Sequence, residues 1–322
     1  MRRVFVTGGS GFVGRALLTE LRSRGIASVA LARSDAAAAT CVGLGAEVVR
    51  GDLEAKAAMV AGMQGCDVVV HAAAYVQEWG AIEEFRRINV EGTARVLAAA
   101  NEAGVRRAVH VSTEAVLCGG QPLHLVDETY PYVQRPWSMY AQTKAEAERL
   151  ALAVVGPLEV VVVRPRLVWG PGDTSLLPQI VDAVRTGRFR WIGDGTQPTS
   201  TCHVRNVVEG TLLAAERGRA REIYFLTDGP PCELKWFLRE LLATQGLDPG
   251  DRRVPLAVAK VAAAACEGLW RLLGKKDPPP ISRGALAALG TEVTVDDAKA
   301  RRELGYVGEV SLADGFAELR GG

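Results

Sequence analysis

Eight residues near the N-terminus, Thr7-Gly8-Gly9-Ser10-Gly11-Phe12-Val13-Gly14, constrain this chain more than any others. They follow the strand-like Val4-Phe5-Val6 and open a helix-like run from Val13 to Arg24. Glycine at positions 8, 11 and 14 gives a tight turn, lets backbone come close to a bound group, and allows a helix to pack hard against a strand. The helix N-terminus then offers unpaired N–H groups and the positive end of its dipole, a combination that suits phosphate. Gly8, Ser10, Gly11, Phe12, Val13 and Gly14 are therefore the candidate contacts of a phosphate-bearing ligand.

The pattern continues as a series. β-branched runs at Ser28 to Ala32, Glu47 to Arg50, Asp67 to His71 and Arg107 to Ser112 alternate with helical stretches such as Ile82 to Ala103. A helix from Ser138 to Val154 leads into the wholly apolar strand ending at Val163. This alternation predicts the α/β class, a doubly wound parallel sheet of the Rossmann kind with helices on both faces. After Arg164, prolines at 165, 171, 178 and 198 break the chain into shorter pieces, which predicts a smaller, interleaved C-terminal substrate lobe. The expected division is 1–165 for the dinucleotide domain and 166–322 for the lobe, with 200–228 returning to the main sheet.

Composition narrows the partners. With 38 basic against 37 acidic side chains among 322 residues, the chain has no broad basic field, so nucleic acid is not an expected partner. Cys41, Cys66, Cys118, Cys202, Cys232 and Cys266 lack metal-site spacing, so no metal is expected and a reducing, cytoplasmic setting fits. Met1-Arg2-Arg3 runs directly into the first strand without the apolar region of a signal peptide. Leu256 to Leu273 is apolar but interrupted by Lys260, Glu267 and Arg271. Two readings stay open for it: a packed helix of the lobe, or a helix at a membrane surface or over a greasy pocket.

Tyr140-Ala141-Gln142-Thr143-Lys144 places a phenol and an ammonium four residues apart, on one helix face. A tyrosine with an ordinary pKa near ~10 needs such a charge to exchange protons near neutrality. Thr113, in Val111-Ser112-Thr113-Glu114-Ala115-Val116, is the candidate hydrogen-bond donor to a substrate oxygen, with Ser112 in reserve. Glycine loop, hydroxyl loop and Y-x-x-x-K, in this order, resemble the extended short-chain dehydrogenases, with the 3β-hydroxysteroid dehydrogenase and NAD-dependent epimerase/dehydratase branches nearest. The resemblance implies Thr113, Tyr140 and Lys144 as the catalytic set.

It also implies a nicotinamide cofactor. Where an acidic residue after the second strand would hold a ribose, the chain has Ala32-Arg33-Ser34, so NADP(H) is favoured through Arg33, while Asp35 leaves NAD(H) open. Asp52 and Leu53, following Gly51, resemble the adenine-side step, and His71, Ala72 and Ala73 the stretch where backbone runs beside the cofactor. Asn89 matches the family's N-V-x-G-T helix and is expected to order active-site backbone. Pro165, Leu167 and Val168 resemble the segment lining the nicotinamide, and His203-Val204-Arg205-Asn206 a later family element that usually carries aspartate at its fourth position.

The resemblance implies hydride transfer between nicotinamide and a ketone or secondary alcohol. Leu167 stands where sugar-nucleotide enzymes carry asparagine, and with Trp169 it favours a hydrophobic substrate of the 3β-hydroxysteroid or long-chain 3-oxo type. Two alternatives are a nucleotide-sugar epimerase or dehydratase and a non-catalytic cofactor-sensing regulator, which would tend to lose the tyrosine or lysine. Leu117 departs from the usual tyrosine. Arg166 brings a charge to the pocket, either for a substrate carboxylate or for an acid of the protein. Homodimers are common in the resembled family.

Overall fold

The computed structural model describes residues 1–77, 79–275 and 277–321. Seven strands form one parallel sheet: β1 (Arg3–Thr7), β2 (Ala27–Ala32), β3 (Glu47–Arg50), β4 (Val68–His71), β5 (Arg107–Val111), β6 (Glu159–Pro165) and β7 (Ile223–Leu226). Their order is β7-β6-β5-β4-β1-β2-β3. The direction of winding reverses between β1 and β4, which opens a crevice at the carboxyl ends of those strands. Val4 to Val6, Val69, Val70 and Val161 to Val163 are fully buried, as expected of central strands covered on both faces.

Helices α1 (Phe12–Ser23), α2 (Asp35–Gly43), α3 (Lys56–Met63), α4 (Ile82–Phe85), α5 (Gly92–Glu102) and α6 (Met139–Leu152) belong to this first part. The single helix expected over Ile82 to Ala103 is instead α4 and α5 joined by a π-helical turn, Arg86–Glu91, which turns Asn89 inward. Leu17, Leu18 and Leu21 of α1 pack one face of the sheet together with Val207, Val208 and Leu212. Met59, Met63, Val96, Leu97 and Ala151 pack the other.

The later helices are α7 (Leu176–Arg185), α8 (Val204–Arg217), α9 (Leu234–Ala243), α10 (Leu256–Leu272), α11 (Arg283–Leu289), α12 (Ala298–Leu304) and α13 (Leu312–Gly321). α8, β7 and α12 pack with the main sheet. Trp169, Trp191, Phe237 and Phe316 centre a separate core between α7, α9 and α13.

Traffic between the parts runs in both directions. Leu123–Val126, inside the expected dinucleotide domain, pairs with Val293–Val295 in a small four-stranded sheet of the lobe. The boundary at 165 and 166 is therefore not a clean cut: short edge strands find partners across the chain because an unpaired ladder leaves polar backbone groups unsatisfied. On the outer face of α10, Val258, Val261, Leu269 and Leu272 are exposed. No helix among the described residues is long and apolar enough to cross a membrane.

Candidate active site

The glycine loop forms a cradle that any side chain would fill. Gly8 has φ +75°, and a Cβ there would lie 2.7 Å from Ala73 N; at Gly14 it would lie 2.0 Å from Gly8 O. α1 begins at Phe12, and its N-cap, Gly11, makes no side-chain cap, so the first N–H groups of the helix are left for a ligand. These residues fit a dinucleotide pyrophosphate. A cavity of about 490 Å³ runs from Gly8, Gly11, Phe12, Val13 and Gly14 past Ala72 to Ser112, Thr113, Tyr140, Lys144, Pro165, Leu167 and Val168. Ala285, Ala287 and Ala288 of α11 close its far side.

α6 presents Tyr140 and Lys144 to this cavity. Ser138 caps the helix, its hydroxyl accepting from Ala141 N at 3.0 Å. One turn beyond Lys144, Glu148 is fully buried; its carboxylate pairs with Arg164 of β6 and accepts from Tyr132 Oη at 2.6 Å and from the Ser112 hydroxyl. This fixes α6 against β5 and β6. Lys144 Nζ donates to Val111 O at 2.7 Å. Burial lowers the Lys144 pKa to about 8, with the nearby Glu148 opposing the shift. Burial raises the Tyr140 phenol, and Glu114 adds to that; the Thr113 hydroxyl acts the other way.

Both candidate hydroxyls have their protons engaged. Thr113 Oγ1 donates to Glu114 Oε2 at 2.8 Å, and the Ser112 hydroxyl donates to Glu148. Arg166, 2% exposed, pairs with Glu114 at 2.7 Å, so of its two expected roles the structure contains the pairing with a protein acid.

Other expected residues lie outside the cavity wall. Ser10, Arg33 and Asp52 are not among the residues that line it, and Arg33 and Asp52 are exposed. Leu53 packs under α5, where a Cβ on Gly92 would meet it at 2.6 Å. Ala73 backs Gly8. Asn89 accepts from Tyr75 N at 2.7 Å and donates to Thr143 Oγ1 at 3.0 Å, tying the loop after β4 to α6. His71 was expected beside the cofactor, but its ring turns into the core: Nδ1 bonds Thr7 Oγ1 at 2.7 Å and Nε2 bonds Thr93 Oγ1 at 2.9 Å. The alternation of β4 sends this side chain away from the crevice while the backbone after it stays close.

His71 lies against His110, with ring centroids 5.3 Å apart and the planes tilted by 38°. Burial, then the Lys144 charge, brings His71 down to about 3 and His110 well below its ordinary value. Burial, then Arg205, brings His203 down to about 4. The unfolded chain, with imidazoles near 6.5, binds more protons than the folded one between these values, so stability must fall as pH drops below about 6.5. The expected loss at pH 5 is roughly 2 kcal/mol for each imidazole held neutral. Urea midpoints that are equal at pH 7 and pH 5 would contradict it.

Several site residues escaped sequence reasoning. Arg50 ends β3 in register with Ala32, and donates to Ser34 O at 2.7 Å and to Asp35 Oδ1 at 2.5 Å. The adjacency of neighbouring strand ends could have revealed it. Glu148 was legible as the next helical turn after Lys144. No local signal joins Glu114 to Arg166.

Comparison with known proteins agrees with this geometry. The model of the NAD dependent epimerase/dehydratase family matches residues 4–226. The chain is 52% identical to the 4-hydroxy-2-methyl-3-oxo-4-farnesyl-3,4-dihydroquinoline-1-oxide ketoreductase of Stigmatella aurantiaca, covering 99% of this chain and 96% of that one. It is 34% identical to the 2-alkyl-3-oxoalkanoate reductase of Stenotrophomonas maltophilia, covering 99% and 98%. Relatives also include a 3-beta-hydroxysteroid dehydrogenase. Among solved structures, a dTDP-glucose 4,6-dehydratase from Streptomyces venezuelae with NAD bound superposes with a TM-score of 0.76 at 27% identity, covering 99% and 96%. The cradle, the Tyr140-Lys144 face and these matches together identify the chain as a member of the NAD-dependent epimerase/dehydratase family and an NAD(P)-dependent oxidoreductase.

Proposed function

We propose that this protein uses NADPH to reduce a ring ketone in a substrate carrying a long prenyl or alkyl chain. The observation that carries this reading is Leu167. It lines the cavity with φ +43°, a left-handed conformation that asparagine adopts readily and leucine does not. Holding it there costs roughly 1–3 kcal/mol, a strain consistent with selection for an apolar wall where a sugar would need a polar anchor. The name of the Stigmatella aurantiaca relative describes such a substrate, a ring ketone bearing a farnesyl chain.

In this reading the nicotinamide supplies the hydride. Tyr140 gives its proton to the developing alkoxide, Lys144 holds the ribose and supports the phenol electrostatically, and the Thr113 hydroxyl, turning from Glu114 to the substrate, donates to the substrate oxygen. Gly8 through Gly14 hold the pyrophosphate, Asp52 and Leu53 flank the adenine, Ala72, Pro165, Leu167 and Val168 border the nicotinamide, and Asn89 orders the backbone between them. Arg33 and Arg50 flank the place of a 2′-phosphate, and Asp35 is already engaged by Arg50. A cytoplasmic setting is supported by six cysteines without a disulfide among them.

The test follows absorbance of NADPH and NADH with prenylated ring ketones, long-chain 3-oxo acids and sugar nucleotides. Turnover is expected with the greasy ketones and NADPH. Tight binding of a diphosphate sugar at a separate site would favour the dehydratase reading instead. Arg33→Ala is expected to weaken NADPH roughly tenfold or more and NADH little, because only NADPH loses a charge-assisted bond. Equal weakening would refute the preference.

A further inference from the structure

Helix α10 turns its apolar side outward. On the inner side Ala259 and Ala263 pack on Leu286 of α11, and the buried Glu267 carboxylate accepts from Arg283 Nε at 2.8 Å. The outer side is aliphatic and open. Val258, Val261, Ala265, Leu269 and Leu272 recur every three or four residues and so share one face of the helix. All five are exposed, Val261 by 72% and Leu272 by 83%, and the exposed Leu273 follows the last turn.

Charge borders this stripe and has one sign. Arg252 and Arg253 precede the helix and Arg271 and Lys275 close it, all four exposed. Lys260 lies off the stripe, over the Trp137 ring. From Arg252 to Lys275 the sole acid is Glu267, which is buried. The next acids along the chain are Asp251, engaged by Lys235 and Arg239, and Asp277. Two half-buried tryptophans stand at the end of α10: Trp270, and Trp79, whose Nε1 donates to Lys275 O at 3.0 Å and whose ring lies 5.6 Å from the Arg271 guanidinium. Trp79 also joins this face to the active site. It belongs to the loop after β4, three residues beyond Val76, which is exposed and lines the cavity. The aliphatic stripe thus ends beside the cavity mouth.

We propose that α10 docks this protein on the surface of an anionic lipid bilayer, with Val258, Val261, Leu269, Leu272 and Leu273 in the boundary between headgroups and acyl chains and Arg252, Arg253, Arg271 and Lys275 on the phosphates. Aliphatic surface leaves water there, each cation gains attraction from the anionic headgroups, and indole rings favour the boundary. The helix lies along the surface, since its inner side is already packed on α11. A second copy of the chain is the other apolar partner for such a face, and it fits less well. Basic groups stand at both ends of α10, so two copies packed stripe to stripe, parallel or antiparallel, bring like charges together. Docking sets the cavity mouth near the acyl chains, where a prenylated or alkylated ketone dissolves. That consequence rests on the proposed function; the docking itself does not.

Flotation of the whole protein with vesicles tests the docking. Vesicles of phosphatidylcholine with about one third phosphatidylglycerol are expected to bind it roughly tenfold or more tighter than phosphatidylcholine alone, and less at high salt. Val261→Glu combined with Leu272→Glu should weaken binding about a hundredfold, while melting temperature and turnover of a water-soluble ketone stay unchanged. Val42→Glu, at an exposed valine of α2, is the control and should change nothing. Arg252→Glu with Arg253→Glu should cost roughly tenfold on the anionic vesicles alone. If the glutamate pair at 261 and 272 does not fold, Val261→Ser with Leu272→Ser takes its place, with a loss of about tenfold. Absence of binding to anionic vesicles, equal binding to neutral ones, or binding undiminished in the 261 and 272 variants overturns the proposal. So does a wild-type dimer, seen by sedimentation velocity, that these variants split while neither form floats, which makes the face a contact between copies. Flotation reads no turnover, so prenylated ketones that are not reduced by a protein that floats as expected fail the proposed function alone.

Discussion

Replacing Tyr140 with phenylalanine is expected to lower kcat roughly a thousandfold while leaving NADPH affinity close to that of the wild type. The phenol is the one tyrosine hydroxyl among the cavity-lining residues, and it stands in the first turn of α6 beside Thr113 and Glu114. Phenylalanine retains the ring and its packing, so the helix and the Lys144 bond to Val111 O should persist. What disappears is the group that exchanges a proton with the substrate oxygen. Ser112 cannot readily replace it, because its hydroxyl is turned to the buried Glu148 carboxylate, nor can Thr113, whose proton is engaged by Glu114. Steady-state turnover and a fluorescence titration of NADPH, made on the same preparation, separate the two effects. Turnover within a few fold of the wild type would remove Tyr140 from its catalytic role.

The second large effect is expected at Gly14. A single methyl there would sit 2.0 Å from Gly8 O and 2.7 Å from Gly9 Cα. Both are backbone atoms, so no side chain can swing aside to make room, and the turn between β1 and α1 must move as a whole. That turn carries the first N–H groups of α1, whose direction makes the phosphate cradle. Gly14→Ala should therefore weaken dinucleotide binding on the order of 100-fold, the loss of two or so charge-assisted hydrogen bonds, and lower the melting temperature as well. Gly43→Ala is the control, since a Cβ there meets nothing within 4 Å. Unchanged cofactor affinity in Gly14→Ala would show that the loop does not hold the pyrophosphate.

Legibility differed from residue to residue for identifiable reasons. The strand Arg3–Thr7, the glycine turn and the helix after it were readable because all three depend on backbone geometry and periodicity within twenty or so neighbours. Tyr140 and Lys144 were readable because four residues is one helical turn. The loop after β4 was readable only in its backbone: Ala72 borders the cavity, but His71 points into the core, and which way a strand alternates depends on what packs against each face. The helix of Asn89 was readable as helix, whereas the π-helical turn that directs its side chain toward Tyr75 and Thr143 was not.

The amino-acid sequence by itself determined the parallel α/β architecture, the phosphate cradle and the Tyr140-Lys144 face, since each follows from steric and hydrogen-bonding rules that act over a few residues. Only the tertiary structure decided that Thr113 gives its proton to Glu114, that Arg166 answers Glu114 across 52 positions of chain, and that Leu123–Val126 pairs with Val293–Val295. Those outcomes depend on burial. A carboxylate or a guanidinium taken out of water must find its counterpart wherever the fold brings one within reach, and an unpaired strand edge must find another edge.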